Sequence, residues 1–213
     1  IFRDSLKKPS EARLRVVQII GPVGTGKTCT VIRFGQRFED DAHKLGVKLK
    51  HLYVNLKLHG GSRVLLYRYL VQRAAPPVFS TSLSAEELIY QLLTYLQGKG
   101  EHLLITLDEI DYFLRQSKES RVIYDLTRLD EMVQPGEPCG VIGLIATARS
   151  KEFHTHLDRA ELSSLGRLPI EFKPYTEEQI YSILQQRVDE AFQPRAVPQR
   201  VLEYVADITA GPV

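Results

Sequence analysis

Gly21-Pro22-Val23-Gly24-Thr25-Gly26-Lys27-Thr28 constrains this chain more than any other stretch, because of what flanks it. The apolar, β-branched run Val16-Val17-Gln18-Ile19-Ile20 before it reads as a buried strand. Residues 29–38 after it have helical spacing, with Val31, Phe34 and Phe38 on one side. A glycine-rich turn could bind nothing, but a strand that passes through such a turn into a helix belongs to the α/β folds. Glycines let the backbone curl so that successive N–H groups face an anion, and the helix N-terminus adds the positive end of its dipole. The loop, extended through Cys29, therefore predicts a cradle for the phosphates of ATP or GTP. Lys27 is the candidate to reach the β- and γ-phosphates, and the Thr28 hydroxyl is the candidate Mg²⁺ ligand.

The rest of the chain repeats the alternation of strand and helix, which predicts a parallel sheet between helices. Residues 47–56 read as a second strand, 103–107 and 141–146 as buried strands, and 168–172 as a short last one. Residues 84–96 read as a helix, with capping-box spacing at Ser84 and Glu87 and Gly98 as its stop. Residues 122–132 read as another helix, and Thr176-Glu-Glu-Gln179 opens one running to about Phe192. Pro194 and Pro198 precede a final helix over 199–209. The break near Pro174 predicts a boundary between residues 1–174 and 175–213.

The strand Leu103-Leu-Ile-Thr-Leu107 ends in Asp108 and Glu109, the complement that a triphosphate site needs. Asp108 is the candidate to hold Mg²⁺ through water, and Glu109 to orient and deprotonate an attacking water. Alone, such a pair is equally a surface acid cluster; beside the glycine loop it reads as the second half of one site. Asp111 reads as a helix cap or an ion-pair partner.

Residues 56–85 contain no Asp or Glu, while Lys57, Arg63, Arg68 and Arg73 all fall there, with His59. Because the whole chain carries a net charge of only +2, contact with nucleic acid would need a local patch of this kind. The other reading is a helix that packs Leu66, Tyr67, Leu70 and Val71 inward and leaves its arginines solvated. Arginines recurring every five residues spread around a helix, which argues against a single basic face.

Cys29 and Cys139 are the only cysteines, which implies neither a disulfide framework nor a zinc site and predicts a reducing, cytoplasmic setting. No apolar run reaches the roughly 18 residues of a membrane span, and no signal peptide is visible. The only methionine is Met132, so the chain beginning at Ile1 reads as a trimmed piece. Asn55 is the only asparagine, a weak thermophile signature.

Taken in order, the loop, Tyr53-Val-Asn55, Leu107-Asp-Glu-Ile-Asp111, Ile123-Tyr-Asp-Leu-Thr-Arg128, Val141-Ile-Gly143, Phe172-Lys-Pro-Tyr175, Ile183-Leu-Gln-Gln-Arg187 and Ala191-Phe-Gln-Pro194 closely resemble the archaeal origin-recognition initiators, the Orc/Cdc-type AAA+ ATPases. The resemblance implies an AAA+ P-loop core, an ATP/ADP site with Mg²⁺, and the start of a small helical lid from residue 175. It also implies binding of double-stranded origin DNA, partnership with the replicative helicase and other initiator subunits, and a nucleoid-associated location. Residues matching Thr25 to Cys29 hold the phosphates in the family. Tyr175 and Arg187 match nucleotide contacts, the alternatives being a hinge-packing tyrosine and a helix-surface charge. The acid-free segment falls where initiators carry a DNA-touching helical insertion.

The departures from the family matter too. No asparagine follows the Ile142-Gly143 strand, so Thr147 is the substitute sensor candidate, or simply the strand's end. Leu157-Asp158-Arg159-Ala160 shifts the family's arginine by one, leaving Arg159 a weak match to a trans-acting finger. A second sensor arginine and a DNA-reading winged-helix domain would lie beyond Val213. Without those charge stabilisers hydrolysis should be slow, as in an ATP/ADP switch. The alternatives are a fast AAA+ motor resembling a clamp loader, or a signalling NTPase that does not touch DNA.

Overall fold

In a computed structural model, which describes residues 2–59, 61–117, 121–134, 136–166 and 169–210, the alternating segments form one parallel sheet. Its strands are β1 (Arg15–Ile20), β2 (Leu49–Asn55), β3 (His102–Asp108), β4 (Val141–Ala148) and β5 (Ile170–Glu171), in the order β2-β3-β4-β1-β5. The expected start of the last strand, Leu168, lies outside the described residues.

Central β3 and β4 are buried almost throughout, which is why they read as continuous apolar runs instead of alternating ones. Side chains of β3 alternate between two hydrophobic layers. Leu103, Ile105 and Leu107 enter the layer shared with helices after β2, whereas Leu104 joins Val31, Phe38 and Ala42. Because the strands are parallel, their carboxyl ends share one edge. Asn55 lies opposite Asp108, and Ile20 opposite Ala148. Ligands of open α/β sheets bind along that edge.

Helix α1 (Arg3–Lys7) precedes β1, and α2 (Lys27–Lys44) follows the glycine loop. Val31 and Phe38 of α2 are buried as expected, but Phe34 is a third exposed and stacks on Phe38 with ring centroids 5.4 Å apart. After the short α3 (Leu56–His59), α4 (Arg63–Ala74) buries Leu66, Tyr67, Leu70 and Val71. Helix α5 (Ala85–Lys99) starts with a complete Ser84/Glu87 capping box. It runs past Gly98: the left-handed cap is Gly100 at φ +59, beyond which the Glu101 N–H bonds the Leu96 carbonyl.

Helix α6 (Ile110–Ser117) follows β3 directly, and α7 (Arg121–Thr127) is shorter than periodicity predicted. The helix stops because Arg128 leaves helical geometry to donate to Ser164 Oγ at 3.1 Å and to lie over the Tyr124 ring, before a single 3₁₀ turn over Leu129–Glu131. Helix α8 (Arg159–Ser164) has its own capping box, Asp158 with Glu161.

The chain divides into two compact units, Ile1–Phe172 and Lys173–Val213. In the second, α9 (Glu177–Ala191) opens with a Thr176/Gln179 capping box, and α10 (Gln199–Ala210) buries Leu202 and Ala206. Among the described residues no helix is long and apolar enough to cross a membrane.

Candidate functional site

The loop between β1 and α2 takes its shape from two glycines. Gly24 and Gly26 both sit at φ +83, a left-handed backbone that L side chains rarely adopt. Gly21 serves a different end, since a Cβ there would lie 2.3 Å from the Phe172 carbonyl oxygen. Helix α2 begins at Gly26 with no side-chain cap, so the N–H groups of its first turn remain available to an anion. Thr25 is buried and donates to the Pro22 carbonyl at 2.9 Å, bracing the loop from inside. The Lys27 ammonium folds back onto the Gly21 and Pro22 carbonyls at 2.6 and 2.8 Å. Partial burial pulls its pKa below the ordinary lysine value, and the charge of Asp108 opposes that pull.

Opposite the loop, Asp108 is 2% exposed and its carboxylate is fully engaged. One oxygen accepts from the Thr28 hydroxyl at 2.8 Å and the Tyr53 hydroxyl at 2.6 Å. The other accepts from the Thr147 hydroxyl and from the Glu109 N–H at 3.1 Å. Burial, then the Asp108 contact, pushes the Tyr53 phenol far above its usual range, so it stays a donor. Glu109 itself sits at φ +59, uncommon for a non-glycine residue, with its N–H also 3.2 Å from Thr147 Oγ1. Its carboxylate accepts from Arg149 at 3.2 Å.

Around these groups lies a cavity of about 350 Å³, the size of a small-ligand cleft. The structure thus brings Val23, Gly24, Gly26, Lys27, Thr28, Cys29, Asp108, Glu109 and Thr147 to one place. Thr28 and Asp108 offer hard oxygens, the donor type that Mg²⁺ takes. Among the described residues no group of three or more His, Cys, Asp or Glu could cage a metal alone. That composition fits an ion whose remaining ligands are phosphates and water.

Two groups lining the cavity, and one that contacts Asp108, carry no site role in the sequence analysis. Tyr53 reaches Asp108 from the neighbouring strand; in the sequence it stands only as part of the Tyr53-Val-Asn55 motif, with no role attached. Arg149 follows the strand that sequence reading ended at Ala146. Asp111 pairs with Arg115 at 3.3 Å, as an ion-pair partner should, yet it also lines the cavity. Among the described residues its buried Oδ1 has no hydrogen-bond partner.

The remaining candidates lie as follows. Thr147 gives its hydroxyl proton to Asp108, so it braces the acidic pair instead of presenting a free donor. Arg159 is exposed in the first turn of α8, away from this cavity, where a finger acting in trans would not be expected to reach its own site. Within the second unit Tyr175 is exposed, and Arg187 pairs with Glu190 at 3.0 Å.

The basic segment is less basic in space than along the chain. Arg63 is largely covered and bridges Glu86 at 2.6 Å and Asp125 at 3.0 Å, acids from outside the segment. Arg68 donates to the Thr81 carbonyl. Lys57 and Arg73 are exposed, each 5.5 Å over a tyrosine ring, Tyr112 and Tyr69 respectively. Arg63 is therefore an internal brace, and its expected role toward phosphates is withdrawn.

A glycine loop, a strand-end Asp-Glu pair and a parallel sheet of this order define a P-loop NTPase core, and residues 13–157 match the AAA domain family, to which the chain belongs. Within that family it is similar to the archaeal ORC1-type DNA replication proteins. It is 34% identical over 208 residues to the ORC1-type DNA replication protein 2 of Saccharolobus solfataricus, covering 97% of this chain and 49% of that protein. The Aeropyrum pernix ORC1 protein, solved in complex with DNA, is 27% identical with a TM-score of 0.78, covering 98% of this chain and 54% of that one. The ORC2 protein of the same organism, solved as ADPNP–ADP complexes, shares the fold with a TM-score of 0.84 at 22% identity, over 97% and 53% of the two chains. The chain spans about half the length of the curated relatives it matches.

Proposed function

We propose that this chain is the nucleotide-binding part of a replication initiator that binds ATP and ADP with Mg²⁺ and acts as a slow ATP/ADP switch. The observation that carries the reading is the 2.8 Å hydrogen bond between Thr28 and Asp108, which joins the glycine loop to the strand-end acid pair in one cavity. Residues 21–29 bind the phosphates through backbone N–H groups, and Lys27 swings from the loop carbonyls to the terminal phosphates. Thr28 and Asp108 hold the metal, which supplies neutralisation of charge on the phosphate oxygens. Glu109 accepts the proton of the attacking water, while Thr147 and Tyr53 fix the Asp108–Glu109 pair. Residues 1–174 form the core, and 175–213 begin a lid that contributes Tyr175 and Arg187 to the nucleotide.

Origin DNA is the proposed partner, touched by Lys57, Arg68 and Arg73, with helicase loading and other initiator subunits downstream and a cytoplasmic, nucleoid-associated setting. Thr147 commits its hydroxyl proton to Asp108 and so presents no donor to the γ-phosphate, which supports slow turnover. The test is a titration of the parent protein with ATP and with ADP, followed by origin DNA at several salt concentrations in each nucleotide state. Retention of ADP with turnover slow against typical enzymes, and DNA affinity that differs between the two states, is expected. Nucleotide-independent DNA binding would sink the switch.

A further inference from the structure

Arg149 emerges directly after β4, whose last residue, Ala148, lies opposite Ile20 at the entrance to the glycine loop. Its guanidinium donates to Glu109 Oε1 at 3.2 Å, and both side chains line the cavity with Gly26 and Lys27. The Glu109 backbone is pinned at φ +59 by hydrogen bonds from its N–H to Asp108 and Thr147. Only its side chain is therefore free to move, and the partner restraining that side chain is Arg149. The pair is half open to solvent, at 43% and 26% side-chain exposure, and such pairs exchange partners readily.

A terminal phosphate carries about two negative charges and offers several oxygens to a planar guanidinium, so it competes strongly with one carboxylate. A diphosphate carries such a group too, but its chain ends one phosphate short of the γ position. On the nucleotide-site reading above, we propose that Arg149 exchanges between Glu109 and the terminal phosphate. With the site empty or holding ADP it restrains the Glu109 carboxylate; with ATP it transfers to the γ-phosphate and frees Glu109 to meet water. The residue thus reports the third phosphate, in a site whose Thr147 has its hydroxyl proton bound elsewhere. No bond is made or broken in the exchange.

The experiment compares ATP and ADP affinities of the parent protein, Arg149→Ala and Arg149→Lys by competition against a fluorescent nucleotide at fixed Mg²⁺, with a thermal melt of each. For Arg149→Ala, ATP affinity should fall about tenfold with ADP affinity changed less than about twofold, because only the third phosphate loses a charge-assisted contact. Arg149→Lys should recover part of the ATP preference. An unchanged ATP/ADP ratio in Arg149→Ala, or equal losses for both nucleotides, overturns the role of Arg149 while leaving the site reading intact. A parent protein that binds neither nucleotide overturns the site reading, and this proposal with it.

Discussion

At the scale of single residues, the most constrained group is the Asp108 carboxylate, which accepts from Thr28, Tyr53, Thr147 and the Glu109 backbone at once. Lys27 contrasts with it, since its ammonium donates to the Gly21 and Pro22 carbonyls of its own loop. Lys27→Ala should therefore lower ATP affinity by tenfold or more, through loss of a phosphate contact, with the unfolding midpoint almost unmoved. Isothermal titration beside a urea melt separates the two effects. Gly35 sets the approach of α2 to β2, because a Cβ there would lie 1.8 Å from the His51 ring nitrogen. Gly35→Ala should cost about 1–3 kcal/mol by overpacking, read as a drop in urea midpoint at constant slope. Residues of the loop and the strand end were legible because their chemistry is local in sequence. The contacts of Tyr53 with Asp108 and of Arg149 with Glu109 were not, since the packing of neighbouring strands makes them and spacing along the chain does not encode it.

At the scale of elements, capping was the best-encoded signal: the Ser84/Glu87 and Thr176/Gln179 boxes close as their spacing predicts. Ser84→Ala should lower stability by about 1 kcal/mol, measured by urea unfolding. Where elements end was harder to read. Gly98 was a plausible stop, but the left-handed position falls two residues on, and α7 ends where Arg128 finds partners on α8 and on the Tyr124 ring. The acid-free segment shows the same limit. Arg63 and Tyr67 on α4 both meet Asp125 on α7, so a charge excess along the chain is neutralised across the fold. Asp125→Ala should cost about 1–3 kcal/mol, because the buried Tyr67 hydroxyl loses its acceptor and Arg63 keeps only Glu86 of its two carboxylates. Lys57→Ala combined with Arg73→Ala should instead leave stability alone and reduce the salt slope of DNA binding by about 1–2. An unchanged slope would remove this surface from the DNA proposal.

At the scale of the whole molecule, acid sensitivity follows from histidines. Burial holds the pKa values of His51, His102 and His154 below the ordinary 6.5. The unfolded chain then takes up protons first as pH falls through 6.5, so stability is complete above that value and declines below it until the folded histidines also protonate. The melting temperature should fall between pH 7.5 and about 5.5, and His51→Gln should flatten that slope. A slope unaltered in the variant would place the sensitivity elsewhere.

By itself the sequence determined the class of fold, and it placed the glycine loop between strand and helix and the Asp108–Glu109 pair at a strand end, because each depends on residue types at short spacing: apolar runs, glycines and caps. Only the tertiary structure decided that Tyr53 and Thr147 brace Asp108, that Arg149 holds Glu109, and that Arg63 faces inward. The reason is physical. Parallel strands align residues distant along the chain in one layer, and burial turns those meetings into hydrogen bonds and ion pairs that spacing along the chain does not encode.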